Sequence, residues 1–274
     1  MTQETVQSTR RDGIAEAVLD AGSIRIDELA DRFGVSRMTI HRDLNELEAR
    51  GVLRKSRGVV TAVASNLFEA SAEYRSRQNS VEKRAIAAAA LAEIVPGEAI
   101  IFDDSTTGLE LARILVAKQP LTVITNFSRV ARELEGKSGI ALITTGGEYF
   151  QLCEAYRGSI TLTALGNLRA DTYFMSTPAI RDGVCYHPHQ ELVLVKQAMF
   201  RAAKRRVLIV DNTKFNRTAL HAMIPVRDFD RVIVDGGISP ANLDALQRTG
   251  IPVTVAPLDG ARRHRLEVAE ADAH

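Results

Sequence analysis

The stretch Ser36–Gly51 (SRMTIHRDLNELEARG) carries the side chains of this sequence best suited to reading a nucleic acid. Ser36 is an N-cap residue, Gly51 is a stop signal, and Ile40, Leu44 and Leu47 recur at the 4-then-3 spacing of one apolar helix face. With that stripe turned inward, Arg37, Met38, His41, Arg42 and Asn45 face outward. Arg can bind guanine bidentately or grip a phosphate, and Asn can do the equivalent with adenine. A solvated face, with Arg42 paired to Glu46 one turn on, is the plainer alternative.

A second set of polar residues follows the expected strands. Glu98–Asp104 (EAIIFDD) leads through Asp103, Asp104 and Ser105 into a helix that opens with Thr106 and Thr107. Hydroxyls and first-turn N–H groups at a helix start suit a phosphate, although simple capping by Ser105 or Thr106 would use the same residues. Three similar corners are Thr125-Asn126-Phe127, Thr145-Gly146-Gly147-Glu148 and Asp211-Asn212-Thr213-Lys214. Glycines there allow close backbone approach, and Lys214 can neutralise a phosphate or carboxylate. Cys185, His187, His189 and Glu191 fall within seven residues, which is compatible with zinc. Pro188 stiffens that segment, and it reads instead as a loop at the pocket rim with no metal.

The elements that must position these groups fall into two domains. Ile26–Phe33 is a short amphipathic helix, and Gly34-Val35 joins it tightly to Ser36, as in a helix-turn-helix. A helix at about Arg10–Ala21, with Ile14, Val18 and Leu19, closes a small core. After Gly51, VLRKSRGVVTAV predicts a β-hairpin wing with Arg54, Lys55 and Arg57 near its tip. Six basic against three acidic residues lie in Val35–Ala64, and four against seven in Met1–Gly34. Positive charge is thus segregated onto the reading helix and wing, although the whole chain is only +1.

The polar segment Ser65–Ser80 marks a change of domain. From Val81 helices alternate with short, continuously apolar strands, which predicts a mainly parallel sheet covered on both faces. The expected organisation is a winged helix-turn-helix domain (1–64), a linker (65–80), a doubly wound α/β sensor domain (81–258) and a frayed tail (259–274). At 274 residues, with 45% hydrophobic residues, the chain can bury both cores. No apolar run reaches the ~20 residues of a membrane span, Met1–Thr9 is unlike a signal peptide, and a cytoplasmic location with Cys153 and Cys185 as thiols is expected.

Over about Arg10–Pro257 the sequence resembles the DeoR-type transcriptional regulators. The match is carried by TI.RDL..LE..G at Thr39–Gly51, K..IA..A at Lys83–Ala90, D..TT at Asp103–Thr107, VITN at Val123–Asn126, Gly146-Gly147, Lys196 in ELVLVKQAM, and TKF at Thr213–Phe215. His41 stands where the family commonly has Arg. Ser105 stands where it often has Gly, and Ser176–Ile180 (STPAI) replaces a GAxGI-like stretch. The candidate DNA-binding residues are Ser36, Arg37, Met38, Thr39, His41, Arg42 and Asn45, with Lys55 and Arg57 of the wing.

In that family the carboxyl-terminal domain resembles ribose-5-phosphate isomerase and binds phosphorylated sugars or polyols. The resemblance therefore implies that Ser105, Thr106 and Thr107 hold a phosphate. It also implies that Asp103, Asp104, Asn126, Lys196 and Lys214 contact the sugar or close the site, alongside Gly146 and Gly147. The expected protein is a repressor of a carbohydrate or polyol operon, a dimer or tetramer on double-stranded operator DNA, with no cofactor and no membrane partner. The rival is a sugar-phosphate isomerase with an added nucleic-acid module, using Asp103, Asp104 or Glu148 as base. It lacks the glycine-rich Lys segment typical of such enzymes, and no G-x-G-x-x-G follows a strand.

Overall fold

A computed structural model describes residues 10–11, 13–15, 17–18, 21–49, 53–62 and 71–258. Leu19, the Gly51 stop signal, residues 65–70 of the expected linker and the expected tail at 259–274 lie outside them. The chain divides into two compact units, Met1–Arg75 and Ser76–His274.

In the first unit the described residues between 10 and 21 are helical (α1). They are followed by β1 (Ser23–Arg25), α2 (Ile26–Phe33), α3 (Arg37–Ala49), β2 (Leu53–Ser56) and β3 (Val59–Ala62). Helix α2 ends because Gly34 adopts φ 62°, a left-handed conformation open to glycine. The Gly34 and Val35 N–H groups then turn back onto the Asp31 and Ala30 carbonyls. Ser36 caps α3, its Oγ accepting from the Thr39 N–H at 3.2 Å. Ile14, Val18, Leu29, Ile40, Leu44, Leu47, Leu53 and Val60 share one core. The wing turn is Arg57-Gly58, both at positive φ, as a two-residue type I′ hairpin requires. The wing is larger than the expected hairpin, since β1 pairs antiparallel with β3 and gives a three-stranded order β1-β3-β2. Three residues before a helix are too few to show a period of two.

Asp43 lies on the same inner stripe as Ile40, Leu44 and Leu47 and is 1% exposed. Arg10 Nε donates to its Oδ2 at 2.7 Å and Arg11 Nε to its Oδ1 at 3.0 Å, which pins α1 across α3.

A short helix, α4 (Ala72–Arg77), leads into the second unit. There follow α5 (Ser80–Leu91), β4 (Ala99–Phe102), α6 (Thr106–Ile114), β5 (Leu121–Thr125), α7 (Ser128–Leu134) and β6 (Ile140–Thr144). Next are β7 (Glu148–Phe150), β8 (Ala155–Arg157), α8 (Gly158–Gly166), β9 (Ala170–Met175), β10 (Ala179–Arg181), β11 (Val184–His187) and α9 (Gln190–Ala202). Last come β12 (Ala203–Val210), β13 (His221–Pro225), β14 (Arg231–Asp235), α10 (Pro240–Gln247) and β15 (Val253–Ala256). Seven strands form one wholly parallel sheet in the order β15-β14-β12-β9-β4-β5-β6. The chain runs outward from β4 through β5 to β6, then returns to the other side of β4 with β9. The sheet's switch point, where ligands of such folds bind, is therefore the carboxyl end of β4 and β9.

Two features lie beyond the alternating pattern. The β7–β8 hairpin and α8 fill the stretch between β6 and β9, and β10-β11-β13 form a small antiparallel sheet. Helix α8 (GSITLTALG) is poor in strong helix formers. It is held by burial of Leu165 and by Thr161 Oγ1 donating to the Gly146 carbonyl at 2.7 Å.

Replacing Asp43 with Ala removes two charge-assisted hydrogen bonds, while Arg10 and Arg11 can still reach water. The expected loss is about 1.5–3 kcal/mol in the stability of the N-terminal unit, read from chemical denaturation with operator binding as a second readout. An unchanged midpoint would show that this ion pair does not hold α1 to α3.

Candidate functional site

On α3 the outward residues stand as the spacing predicts. Ser36, Arg37, His41, Arg42 and Asn45 are exposed, Thr39 is half-buried beside the Ser36 hydroxyl, and Met38 is 75% exposed. Arg37 pairs with Asp27 of α2. The wing departs from expectation at Lys55. Strand alternation puts Lys55 on the same side as the buried Leu53, so it leans on α3. Its ammonium is 3.0 Å from Glu48 Oε2 and also meets Asn45 Oδ1. The Lys55 N–H and ammonium hold the Glu48 carboxyl below the usual carboxylate range. Arg54 and Arg57 are the exposed basic residues of the wing.

The second constellation surrounds the switch point. Asp103 and Asp104 end the β4 segment, and α9 delivers Lys196 from its buried stripe Leu192, Val193, Val195, Lys196 and Met199. Lys196 Nζ lies 2.6 Å from Asp103 Oδ2 and 2.8 Å from Asp104 Oδ1. All three side chains are at most 3% exposed. Asp103 Oδ2 also accepts from the Tyr173 hydroxyl at 3.0 Å and the Ser176 N–H at 3.2 Å, and its Oδ1 from the Ser105 N–H at 3.0 Å. Burial alone would lower the Lys196 pKa, but the two carboxylates carry it above the ordinary lysine range. Burial, and then Asp103, raise the Tyr173 hydroxyl, which stays a donor. Asp103, Asp104 and Lys196 thus engage one another and lock β4, β9 and α9 together.

Ser105 caps α6, its Oγ accepting from the Gly108 N–H at 3.1 Å. Thr106 and Thr107 are buried in the first turn. Lys83, absent from the expected contacts, brings its ammonium to Thr106 Oγ1 at 2.9 Å. A signal for it exists in the sequence, because Lys83 falls on the buried stripe with Ile86, Ala87 and Ala90. Asn126 and Thr145 end the β5 and β6 segments and are also buried. Asn126 Nδ2 donates to the Tyr156 carbonyl at 2.9 Å, and the Tyr156 N–H returns to the Asn126 carbonyl at 2.8 Å, tying β8 to this corner. Gly146 has φ 62°. Gly147 has φ 118°, and a Cβ there would lie 2.6 Å from the Arg157 carbonyl oxygen. Backbone conformation and close packing therefore require these glycines.

On the far side of the switch point, Lys214 Nζ lies 3.6 Å from Asp211 Oδ2. Asn212 binds Asp235 through both its N–H and its Nδ2, each at 2.7 Å. The carboxyl ends of β14, β12, β9, β4, β5 and β6 thus present a row of buried polar residues: Asp235, Asp211, Ser176, Asp103, Asn126 and Thr145.

Residues Cys185 to Glu191 do not form the expected rim loop. Cys185 and His187 are inward-facing residues of β11, whose alternation buries both. His187 Nδ1 accepts from the His189 N–H at 3.1 Å, and the His189 ring meets Phe150 edge-on. Burial pushes the Cys185 thiol up to about 12. Glu191 pairs with Arg157, which also binds Glu148 at 2.7 Å. Among the described residues no group of three or more His, Cys, Asp or Glu is placed to hold a metal. Nor is any helix there long and apolar enough to cross a membrane. The side chains of Cys153 and Cys185 are both buried.

Fold and site together define a winged helix-turn-helix protein with an α/β sensor domain. Residues 10–66 match the DeoR-like helix-turn-helix domain, and residues 78–236 match the DeoR C terminal sensor domain. The chain belongs to the DeoR family of transcriptional regulators. It is 33% identical over 247 residues to the uncharacterized HTH-type transcriptional regulator YgbI of Escherichia coli, covering 90% of this chain and 97% of that protein. Over 229 residues it is 30% identical to the lactose phosphotransferase system repressor of Staphylococcus epidermidis, covering 82% and 91%. Over 256 residues it is 29% identical to the HTH-type transcriptional regulator GlpR of Haloferax volcanii, covering 93% and 98%. Ribose 5-phosphate isomerase A of Methanocaldococcus jannaschii is a similar solved structure at 14% identity and TM-score 0.38, covering 51% of this chain and 56% of that one. The named relatives are regulators, and the chain is a regulator rather than an enzyme.

Removing the Lys196 ammonium leaves two buried carboxylates without their cation. Lys196→Met is expected to lower stability by about 3–5 kcal/mol at neutral pH. The folded variant then holds protons more tightly than the unfolded chain, so its deficit shrinks as pH falls toward about 4. The wild-type ammonium, whose folded pKa is raised, contributes fully below about 10.4 and loses that contribution only as pH rises beyond it. Thermal melts of both proteins from pH 4 to 9 provide the check, and a deficit independent of pH would remove the carboxylates as its cause.

Proposed function

We propose that this regulator represses a carbohydrate or polyol catabolic operon and is released from its operator by a phosphorylated sugar or polyol. The observation that carries the reading is the start of α6 at the switch point. Buried hydroxyls of Ser105, Thr106 and Thr107 stand at the positive end of a helix, and Lys83 adds a buried ammonium at Thr106 Oγ1. That combination suits a phosphate. Asn126, at the end of β5 beside β4, suits the hydroxyls, and Lys214, past the end of β12 on the other side of the switch point, suits remaining negative charge on the phosphate. Asp103, Asp104 and Lys196 position these groups by holding β4 against β9. The name of the lactose phosphotransferase system repressor agrees with control of sugar uptake.

The DNA-reading face is Ser36, Arg37, Met38, Thr39, His41, Arg42 and Asn45, with Arg57 at the wing tip on the phosphate backbone. Lys55 fixes the wing to α3 and can release Asn45 when DNA competes for it. A homo-oligomer presents two such heads to a repeated or palindromic operator.

The test is a fluorescence-anisotropy titration of the full chain on its own promoter DNA at fixed salt, with and without a panel of sugar phosphates. Tight, sequence-dependent binding released by one compound supports the reading. Specific binding that no phosphorylated compound weakens argues against the effector class. Arg42→Ala, at the centre of the exposed face of α3, is expected to weaken operator binding by about 1–3 kcal/mol. Unchanged affinity would take that helix out of the groove.

A further inference from the structure

Among the described residues, the buried side-chain atoms near the switch point that have no hydrogen-bond partner include Asn126 Oδ1 and Thr145 Oγ1. Folded proteins rarely leave such atoms unmatched, and those that remain require a reason. The Asn126 amide is oriented by its bond to β8. Turning it over would set Oδ1 against the Tyr156 carbonyl, so Oδ1 is the atom directed away from that strand. Thr145 is placed by its N–H on the Thr125 carbonyl at 3.1 Å, and its buried hydroxyl has no hydrogen-bond partner. The carboxylates of Asp104 and Asp211 differ, because the Lys196 ammonium stands 2.8 Å from Asp104 Oδ1 and the Lys214 ammonium 3.6 Å from Asp211 Oδ2.

An amide oxygen can only accept a hydrogen bond. A fully ionised phosphate has no proton to give it, whereas a hydroxyl does. We infer that Asn126 and Thr145 receive hydroxyl groups of the effector. Its phosphate then lies at α6 and Lys83, and its carbon chain runs over β5 and β6 rather than toward β12. This rests on the sugar-phosphate reading above. Strands are about 4.8 Å apart, so the ends of β5 and β6 lie roughly 5 and 10 Å from that of β4. A short phosphorylated carbon chain spans that interval, and inorganic phosphate alone does not. The bond that orients Asn126 also joins it to Tyr156 of β8, so the bound hydroxyls sit beneath the β7–β8 hairpin.

The test uses the full chain and three forms of residue 145: wild type, Thr145→Val and Thr145→Ser. Each is titrated calorimetrically with inorganic phosphate, glycerol 3-phosphate, ribose 5-phosphate and fructose 6-phosphate, and its ligand-free melting temperature is recorded. Valine keeps the shape and removes the hydroxyl. Thr145→Val is expected to bind the preferred sugar phosphate roughly ten- to hundredfold more weakly, with phosphate binding unchanged. Its ligand-free melting temperature stays level or rises, because no bond was lost, and Thr145→Ser restores the affinity. Equal sugar-phosphate binding by wild type and Thr145→Val overturns the inference and leaves the effector class standing. A lower ligand-free melting temperature in Thr145→Val overturns it as well, since the hydroxyl then serves the fold. Failure of the wild type to bind any of the four, phosphate included, overturns the sugar-phosphate reading and this inference with it.

Discussion

A lysine ammonium leaves water only where anions replace its hydration, and the second unit is arranged to meet that condition at Lys196. Two aspartates reach it from the end of β4, one of them also bound to Tyr173, to the backbone of Ser176 after β9 and to the backbone of Ser105. One charge cluster therefore fixes the two strands at which the sheet reverses its order, the helix crossing behind them and the loop that opens α6. Apolar residues could fill the same volume at equal or lower cost. They could not set the carboxyl ends of two parallel strands in a register that directs polar groups to one place. Asp103, Asp104 and Lys196 look in the sequence like groups awaiting a ligand. In the folded chain they spend their charge on each other and hold the backbone of Ser105 and Ser176 beside them.

The first unit solves a smaller version of the same problem. Asp43 is buried within the apolar stripe of α3 and meets two arginines of α1. Its negative charge is consumed on the inner side, and Arg37, His41 and Arg42 remain on the outer side. At the outer end of the helix, Lys55 binds Glu48 and Asn45 and so joins wing to helix. Reading head and wing can then act as one rigid surface, which is what base contacts demand if small misplacements are not to cancel them.

Much of this was legible in the sequence because it follows from periodicity. Ile40, Leu44 and Leu47 gave α3 its inner face and, by subtraction, its outer one. Continuous apolar runs such as AIIF and LTVIT gave a parallel sheet and located the strand ends where polar residues gather. What escaped was of two kinds. Partner assignments need three dimensions: Lys83 and Asp43 both fall on apolar stripes, which marks them as buried, yet nothing in the chain says that Thr106 or Arg10 and Arg11 will meet them. Short elements held by packing escape for another reason. β1, the β7–β8 hairpin and α8 are too brief or too weak in local preference to announce themselves, and the strand at Val184–His187 was masked by residue types that read as a loop.

The helix-turn-helix and the sensor domain lie in different units, so control of one by a ligand of the other requires that each ligand favour one of two states of the same molecule, with equal and reciprocal effect. A ligand held only by its phosphate at α6 would meet a helix start already fixed by the Ser105 cap and the Lys196 cluster, and would have little structure left to bias. Asn126 is different, because its amide is shared with the backbone of Tyr156 in β8. Beyond Tyr156 the hairpin is held by Glu154, which burial alone would raise but which Arg129 and Arg132 of α7 keep below the usual carboxylate range. Groups that contact both the ligand and a separately anchored hairpin can transmit which compound is bound. Hydroxyl recognition at Asn126 and Thr145 would then serve selectivity and switching together, while phosphate recognition, common to every sugar phosphate in the cell, would supply affinity alone.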